Sequence, residues 1–251
     1  MPFFSAKTNQ FTYFSEQVGD RLWQGKNVLD FGGNIGNILR DPNSTIDEEL
    51  YWCLDVDKES IERGRATYPR SHWLFYNRYC FFFNPSGVVK LPLPDLGQNF
   101  DFIVGYSVFT NTPPSEMLDI VSQLMDRLSS GGTLAFTFID PFHRSWPAEY
   151  QGNNFQWRLE QEIVIGKDAG RDLNLDIPQL MKRAEGSSWC MLVNGEDLYV
   201  ETEEIGSYQP ERQRTCHVFH TQAYMRSLLP QAEILAPANN EMQHCCVIRK
   251  Q

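Results

Sequence analysis

The fold is decided by the stretch Val28-Leu29-Asp30-Phe31-Gly32-Gly33-Asn34-Ile35-Gly36-Asn37-Ile38-Leu39. An apolar run is followed by an acid, clustered glycines and a second apolar run, which predicts a first strand, a tight turn and a first helix. Glycines let the main chain approach a ligand where side chains would collide, and a helix N-terminus presents free N–H groups to it. The stretch therefore predicts a nucleotide-type ligand site at the carboxyl end of a strand.

The kind of nucleotide is indicated by Asp30, two residues before Gly32. A carboxylate there would repel a pyrophosphate but attract a cationic amine or sulfonium, which favours S-adenosylmethionine over NAD. The spacing Asp30-x-Gly32-x-Asn34-x-Gly36 resembles the first motif, D-x-G-x-G-x-G, of class I S-adenosylmethionine-dependent methyltransferases. Asn34 replaces the middle glycine, and asparagine tolerates left-handed geometry. An NAD-dependent reductase remains a distant alternative.

Later strands carry further candidate cofactor ligands. The stretch Leu50–Asp57 predicts a buried second strand that ends in acids, and an acid at this end suits the ribose hydroxyls. We assign that role to Asp55, beside Val56, although Asp57 competes for it and also suits a helix N-cap. After a third strand, Ser71–Phe75, the resemblance implies that Asn77 binds the adenine amino group, with Arg78 next to it. The aromatic block Cys80–Phe83 is expected to be core.

The fourth strand carries a second motif, in which Phe100-Asp101-Phe102-Ile103 is followed by Ser107-Val108-Phe109-Thr110. It resembles the corresponding motif of the same family, except that Asn111 stands where the family usually has a histidine. The resemblance implies that the methyl group lies beside Tyr106 and Ser107. A helix follows from about Pro113 to Leu128, and then a fifth strand over Thr133–Ile139.

The resemblance covers residues 26–140 well and the final hairpin loosely. It implies an α/β, Rossmann-like, doubly wound sheet of seven strands, mostly parallel with an antiparallel C-terminal strand, helices on both faces and a lid insertion after strand 5. We divide the single domain into an N-terminal helical lid (1–25), a cofactor-binding core (26–140), an insertion that forms the acceptor pocket (141–214) and a C-terminal helix and hairpin (215–251).

Methyl transfer is a single displacement, so a base is needed only when the acceptor carries its proton. The candidate catalytic residues are His143, on the rim after strand 5, with Tyr106 and Tyr13. A surface role for His143 and a packing role for Tyr13 remain open. Arg144 suits an acidic acceptor, and the remaining candidate substrate-binding residues are the aromatic residues Trp146, Tyr150 and Phe109.

The chain of 251 residues has a net charge of −10 and a pI near 5.0, which disfavours nucleic acid or an anionic membrane as the main partner. Its six scattered cysteines suit reduced core residues, no metal is expected, and no signal or membrane segment is evident, so a cytoplasmic protein is predicted.

The sequence thus predicts an S-adenosylmethionine-dependent methyltransferase that releases S-adenosylhomocysteine. The predicted acceptor is a hydroxyl or carboxylate oxygen of a small molecule or short peptide. A weaker resemblance is to cyanobacterial natural-product enzymes that methylate peptide carboxyl groups, which allows a domain excised from or fused to another biosynthetic enzyme domain. An N-methyltransferase of the same fold and a non-catalytic cofactor-binding module are the alternatives.

Overall fold

A computed structural model describes residues 9–80, 83–144, 150–168, 170, 175–194, 198–202, 216–237 and 242–251. The helices are α1 (Gln10–Val18), α2 (Lys58–Thr67), α3 (Pro114–Asp126), α4 (Asn154–Asp168), α5 (Ile177–Ala184) and α6 (Gln222–Leu228). The strands are β1 (Val28–Phe31), β2 (Tyr51–Asp55), β3 (His72–Phe75), β4 (Phe100–Gly105), β5 (Leu128–Ile139), β6 (Trp189–Asn194), β7 (Leu198–Glu201), β8 (Cys216–His220), β9 (Glu233–Leu235) and β10 (Gln243–Arg249).

Seven strands form the main sheet in the order β3-β2-β1-β4-β5-β10-β9. The first five are parallel, and β10 runs antiparallel to both β5 and β9. The chain therefore moves outward from β1 in one direction and then returns to add β4 on the other side. The predicted doubly wound sheet with an antiparallel C-terminal strand is confirmed, and ligands of such sheets bind where the order reverses, between β1 and β4.

Alternate strand residues pack on the two faces of this sheet. One face, which we call the α1 face, buries Phe14, Trp23, Tyr51 and Cys245. The other, which we call the α3 face, buries Leu29, Met117, Phe136 and Cys246 against α3 and α6. The alternation assigns each side chain at the carboxyl edge to one of these faces.

Helix α1 is part of the core. Trp23 stacks on Phe102 with ring centroids 4.1 Å apart, and Phe11 meets Trp23 edge-on at 5.3 Å. The Asp41 carboxylate accepts hydrogen bonds from the Thr12 amide at 2.7 Å and the Thr12 hydroxyl at 3.2 Å. The helix ends at the left-handed Gly19, within the segment 1–25 that the sequence predicted to be helical.

The helix predicted after the glycine loop is wrong, because residues 33–40 form a run of turns. Asn34 has a φ of 55° and Gly36 a φ of 81°, and two left-handed residues so close together interrupt right-handed helix geometry. The segment keeps short-range backbone bonds, such as those from the Gly36 amide to the Gly33 carbonyl and from the Arg40 amide to the Gly36 carbonyl. No helix dipole points at the ligand site from this segment.

A second sheet, in the order β7-β6-β8, follows β5 and is entirely antiparallel. Helices α4 and α5 cover one of its faces through Phe155, Leu159, Leu192 and Phe219. The sequence predicted an insertion over residues 141–214 but not this sheet. β8 lies beyond the predicted insertion boundary at residue 214, yet pairs with β6.

Other elements differ from prediction mainly at their ends. β5 begins at Leu128, five residues before the expected strand, and α6 begins at Gln222. Phe83 is 57% exposed, so the expectation that the aromatic block is core is wrong there, whereas Phe81 and Phe82 lie outside the described residues. Among the described helices none is long and apolar enough to cross a bilayer.

Candidate cofactor and acceptor site

The glycine loop lies at the carboxyl end of β1, held to β2 by a bond from the Gly32 amide to the Leu54 carbonyl. Gly32 has a φ of 75°, and a Cβ there would lie 2.4 Å from Val108 Cγ2. A Cβ on Gly33 would lie 2.5 Å from Asp30 Cγ. The loop therefore needs glycine at both positions, because the main chain fits tightly between β4 and Asp30.

Asp55 joins the end of β2 to this loop. Its Oδ2 accepts a hydrogen bond from the Asn34 amide at 2.7 Å, and its Oδ1 accepts one from the Asp57 amide at 2.8 Å. Burial raises the pKa of Asp55, although these backbone donors oppose the shift. Asp57 instead caps α2 through the Glu59 amide and the Ser60 hydroxyl. The two acids thus have separate positions, with Asp55 against the loop.

Asp30 lies beneath the loop rather than on its open side. It is 1% exposed, and its Oδ2 accepts a hydrogen bond from the Tyr51 hydroxyl at 2.8 Å. The Asp30 pKa is raised to about 7, mainly by burial and to a smaller extent by Asp55, while the Tyr51 hydrogen bond opposes the shift. The sequence suggested a carboxylate facing the ligand, whereas the structure places this acid under Gly33, next to Tyr51 and Cys53.

A chain of hydrogen bonds fixes the end of β4. Ser107 is left-handed, with a φ of 61°, and its amide donates to Thr137 Oγ1 at 2.7 Å. The Thr137 hydroxyl in turn donates to Oε1 of Gln243, a buried residue of β10. Neither Thr137 nor Gln243 could be selected from the sequence, because neither belongs to a recognisable motif and they lie 106 residues apart.

The two candidate tyrosines come together beside this chain. The Tyr13 ring meets the Tyr106 ring edge-on at 5.8 Å, and Phe14 meets Tyr106 at 6.3 Å. Tyr13 is 3% exposed, which is typical of a packing residue, whereas Tyr106 is half-buried. Both rings lie on the α1 face, as do Thr137 and Gln243 by the alternation of their strands.

His143 lies apart from those tyrosines. Its ring meets His244 edge-on at 4.7 Å, and His244 stacks on Phe138 at 5.2 Å. His244 and Phe138 point to the α3 face, opposite to their strand neighbours Gln243 and Thr137. Burial, with a smaller contribution from the neighbouring His143, lowers the His244 pKa to about 4. The structure therefore does not bring the three candidate catalytic residues together.

Asn77 and Arg78 follow β3 but face different surroundings. Asn77 is exposed, and its Oδ1 accepts a hydrogen bond from Asn84 Nδ2 at 3.1 Å. Arg78 is 3% exposed and donates to Glu116 Oε1 and the Leu91 carbonyl. It borders a cavity of about 380 Å³ against α3. Its guanidinium is occupied by protein partners rather than facing the glycine loop.

The candidate substrate-binding residues are also dispersed. Phe109 is fully buried between Phe31 and Phe136, so it contributes to the core rather than to a surface. Arg144 is exposed and donates to the carbonyl of the half-buried Tyr150 at 3.0 Å. Trp146 lies outside the described residues. The described part of the chain contains no cluster of three potential metal ligands.

Comparison of the sequence with protein-family models and with curated proteins gives no match. Solved structures do match. An S-adenosylmethionine-dependent methyltransferase from Clostridium acetobutylicum is 10% identical with a TM-score of 0.52, over 97% of this chain and 91% of that one. The glycopeptide N-methyltransferase MtfA in complex with S-adenosylhomocysteine is 12% identical with a TM-score of 0.52, over 100% and 92%. The chain therefore has the fold of class I S-adenosylmethionine-dependent methyltransferases.

Proposed function

We propose that the protein is a methyltransferase that uses S-adenosylmethionine, releases S-adenosylhomocysteine and methylates an oxygen of a small molecule or short peptide. The observation that carries the proposal is the hydrogen bond between Asp55 and the Asn34 amide at the reversal point of the sheet. It places an acid beside a tight glycine loop, where a nucleoside's ribose needs hydrogen-bond acceptors.

The charges of this site also favour S-adenosylmethionine over a dinucleotide. Asp30 and Asp55 are both buried here, and a helix N-terminus, which would bind pyrophosphate, does not follow the loop. A sulfonium ligand would supply positive charge beside two carboxyl groups, whereas a pyrophosphate would add negative charge. Asp30 acts from beneath the loop, so its contribution is electrostatic rather than a direct contact.

Bound S-adenosylmethionine supplies an activated methyl group. An acceptor oxygen would attack the methyl carbon, and the bond from that carbon to sulfur would break with its electron pair going to sulfur. The half-buried Tyr106 ring packs against Tyr13 just after β4. In this proposal the ring lines the approach of the acceptor oxygen to the methyl group and keeps water out of it. A carboxylate needs no proton removed, so His143 on the other face is not required for such an acceptor.

Calorimetric titration with S-adenosylmethionine, S-adenosylhomocysteine and NAD tests the cofactor. We expect micromolar binding of the first two and none of NAD. Asp55→Ala should weaken binding at least tenfold, whereas Asp57→Ala, which removes a helix cap two residues away, should leave it within about twofold. Binding of NAD alone, or equal affinity in the wild type and Asp55→Ala, would contradict the proposal.

A methyl-transfer assay on matched carboxylic acids, alcohols and amines then tests the acceptor. Methyl esters hydrolyse in base, whereas methyl ethers and methylamines do not, and only the methylamine can be protonated by acid, so the two treatments together identify the methylated atom. Exclusive transfer to nitrogen would replace the oxygen proposal with that of an N-methyltransferase. Tight cofactor binding without transfer to any compound would favour the non-catalytic module, for which Asn34 and Asn111 are the sequence departures.

A further inference from the structure

Gln243 lies where the proposed reaction needs an acceptor-binding group. It begins β10 opposite Ile139, at the carboxyl end of β5, and its side chain is on the α1 face with Thr137. Through Thr137 it connects to the amide of Ser107, at the end of β4 beside the Tyr106–Tyr13 pair. Gln243 is therefore joined by two hydrogen bonds to the segment where we place the methyl group.

The amide of Gln243 is oriented by its hydrogen bond to Thr137. Thr137 Oγ1 accepts a hydrogen bond from the Ser107 amide and donates its own proton to Gln243 Oε1. Oε1 thus points inward to the fully buried Thr137, and Nε2 is directed away from it.

Nε2 is left with two donors and makes no hydrogen bond to any residue that the structure describes. Gln243 is 8% exposed, and Nε2 is the polar atom of its side chain that is not hydrogen-bonded to Thr137. Nε2 keeps contact with solvent, so an acceptor oxygen can reach it and replace water at its donors. Ser107 also stays in a left-handed conformation that the Thr137 bond maintains, and such strain concentrates at functional sites.

We propose that Gln243 binds a carboxylate oxygen of the methyl acceptor through Nε2, and that Thr137 is the positioning residue that directs those donors. The proposal rests on the proposed methyltransferase function and narrows its acceptor to carboxylic acids. The amide carries no charge, so it binds one carboxylate oxygen without lowering that group's readiness to attack as strongly as an ion pair would. The second oxygen is left to meet the methyl carbon.

Kinetic comparison of Gln243→Glu and Gln243→Met tests the contact. Glutamate can still accept the Thr137 hydrogen bond but replaces two donors with a negative charge, and methionine removes the donors alone. Against the carboxylic acid that the wild type methylates best, we expect KM to rise about tenfold or more in both variants, most in Gln243→Glu, with a smaller change in kcat. Thr137→Ser, which keeps the hydroxyl, should retain wild-type KM, whereas Thr137→Val should not.

Gln123→Glu is the matched control, because Gln123 Oε1 also accepts a hydrogen bond, from the Leu93 amide, but lies on α3. It should leave KM unchanged. The affinity of each variant for S-adenosylhomocysteine should stay within about twofold of the wild type, which separates acceptor binding from cofactor binding and from misfolding. An unchanged KM for carboxylic acids in Gln243→Glu and Gln243→Met would overturn the proposal.

An NMR titration tests the same contact without turnover. The side-chain amide resonances of Gln243, identified by their loss in Gln243→Glu, are followed while N-acetylglycine or its uncharged analogue N-acetylglycinamide is added to protein saturated with S-adenosylhomocysteine. We expect N-acetylglycine to move these resonances more than N-acetylglycinamide and to leave those of Gln123 in place. Equal responses of Gln243 and Gln123 would refute the acceptor contact, and failure of S-adenosylhomocysteine to bind would instead refute the methyltransferase function.

Discussion

The Tyr51 hydroxyl donates a 2.8 Å hydrogen bond to Asp30 Oδ2 directly beneath the glycine loop. This pair connects the first two strands of the sheet under the position where a Cβ on Gly33 would collide with Asp30. Asp30 has a raised pKa because it is buried without a cationic partner among the described residues. An acid in this state makes both the stability and the ligand affinity of the protein depend on pH.

Asp30→Asn is expected to stabilise the free protein at neutral and higher pH. The Asp30 pKa is about 7 when folded and near 3.8 when unfolded, so the folded state retains a proton that the unfolded state releases. Wild-type stability from this group therefore falls as pH rises from about 4 to about 7, and asparagine does not titrate. Urea unfolding should show that the free energy of unfolding of the variant, measured relative to that of the wild type, rises by roughly 2–3 kcal/mol from pH 5 to pH 8.

Asp168→Asn, at an exposed carboxylate at the end of α4, is the control for this experiment and should show no such gain. A constant difference between Asp30→Asn and the wild type across this pH range would show that Asp30 does not retain its proton. The same variant should bind S-adenosylmethionine more weakly than the wild type at pH 8, because the negative charge is lost.

Gly32→Ala is expected to disrupt the loop far more than Gly131→Ala. Both glycines have a φ of 75°, but a Cβ at position 32 would lie 2.4 Å from Val108 Cγ2, whereas position 131 has nothing within 4 Å. Left-handed strain alone costs about 1–2 kcal/mol, and the collision should add roughly 1–3 kcal/mol. Thermal unfolding measures the difference, and calorimetry should show loss of cofactor affinity only in Gly32→Ala. Equal destabilisation of the two variants would contradict the close approach to β4.

Arg78→Ala is expected to act on stability rather than on cofactor affinity. Its guanidinium bonds to Glu116, and its removal leaves a largely buried carboxylate without that partner, at a cost of roughly 3–5 kcal/mol. Arg70→Ala removes exposed ion pairs with Glu48 and Glu49 and should have little effect. Denaturant unfolding of both variants measures this. A folded Arg78→Ala variant with weakened cofactor affinity and normal stability would instead restore the cofactor-binding role suggested by the sequence.

Asp41→Ala is expected to loosen α1 locally. The Asp41 carboxylate bonds to the Thr12 amide and hydroxyl from 29 residues away, in the manner of a helix cap, and such caps contribute about 1 kcal/mol. Hydrogen exchange should accelerate for the α1 amides. Asp57→Ala, which removes the cap of α2, should accelerate exchange in α2 but not in α1. Unchanged exchange in α1 after the Asp41 change would show that aromatic packing alone holds the helix.

The sheet was predictable because its determinants are local. Each early strand has a signal within a few residues: the glycines after β1, the acids at the end of β2 and the apolar run of β4. The order of these elements along the chain then predicts the topology of the sheet. The turn over residues 33–40 was not predictable in the same way. The apolar positions after Gly36 suggested a helix, and only the left-handed geometry of Asn34 and Gly36 shows why it does not form.

The candidate site was less predictable because its contacts are distant in sequence. Asp55 could be selected by its place after a buried strand, but its bond to Asn34 depends on two strands pairing. Tyr51 beneath Asp30 and Gln243 behind Thr137 carry no sequence signal, since each acts through a partner brought close by the sheet. His143 is separated from Tyr106 because side chains alternate between the two faces of the sheet. The sequence does not give the register of β5 and β10, which decides the face on which each side chain lies.

Strand β10 lies between β5 and β9, so the edge of β5 is paired only by a segment far along the chain. While the protein is being synthesised, β5 keeps an unpaired edge until residues 243–249 have left the ribosome, and the apolar residues that β10 covers stay exposed with it. Because the same strand carries Gln243, the cofactor loop can fold early, but the proposed acceptor contact exists only after the last interior strand has been inserted.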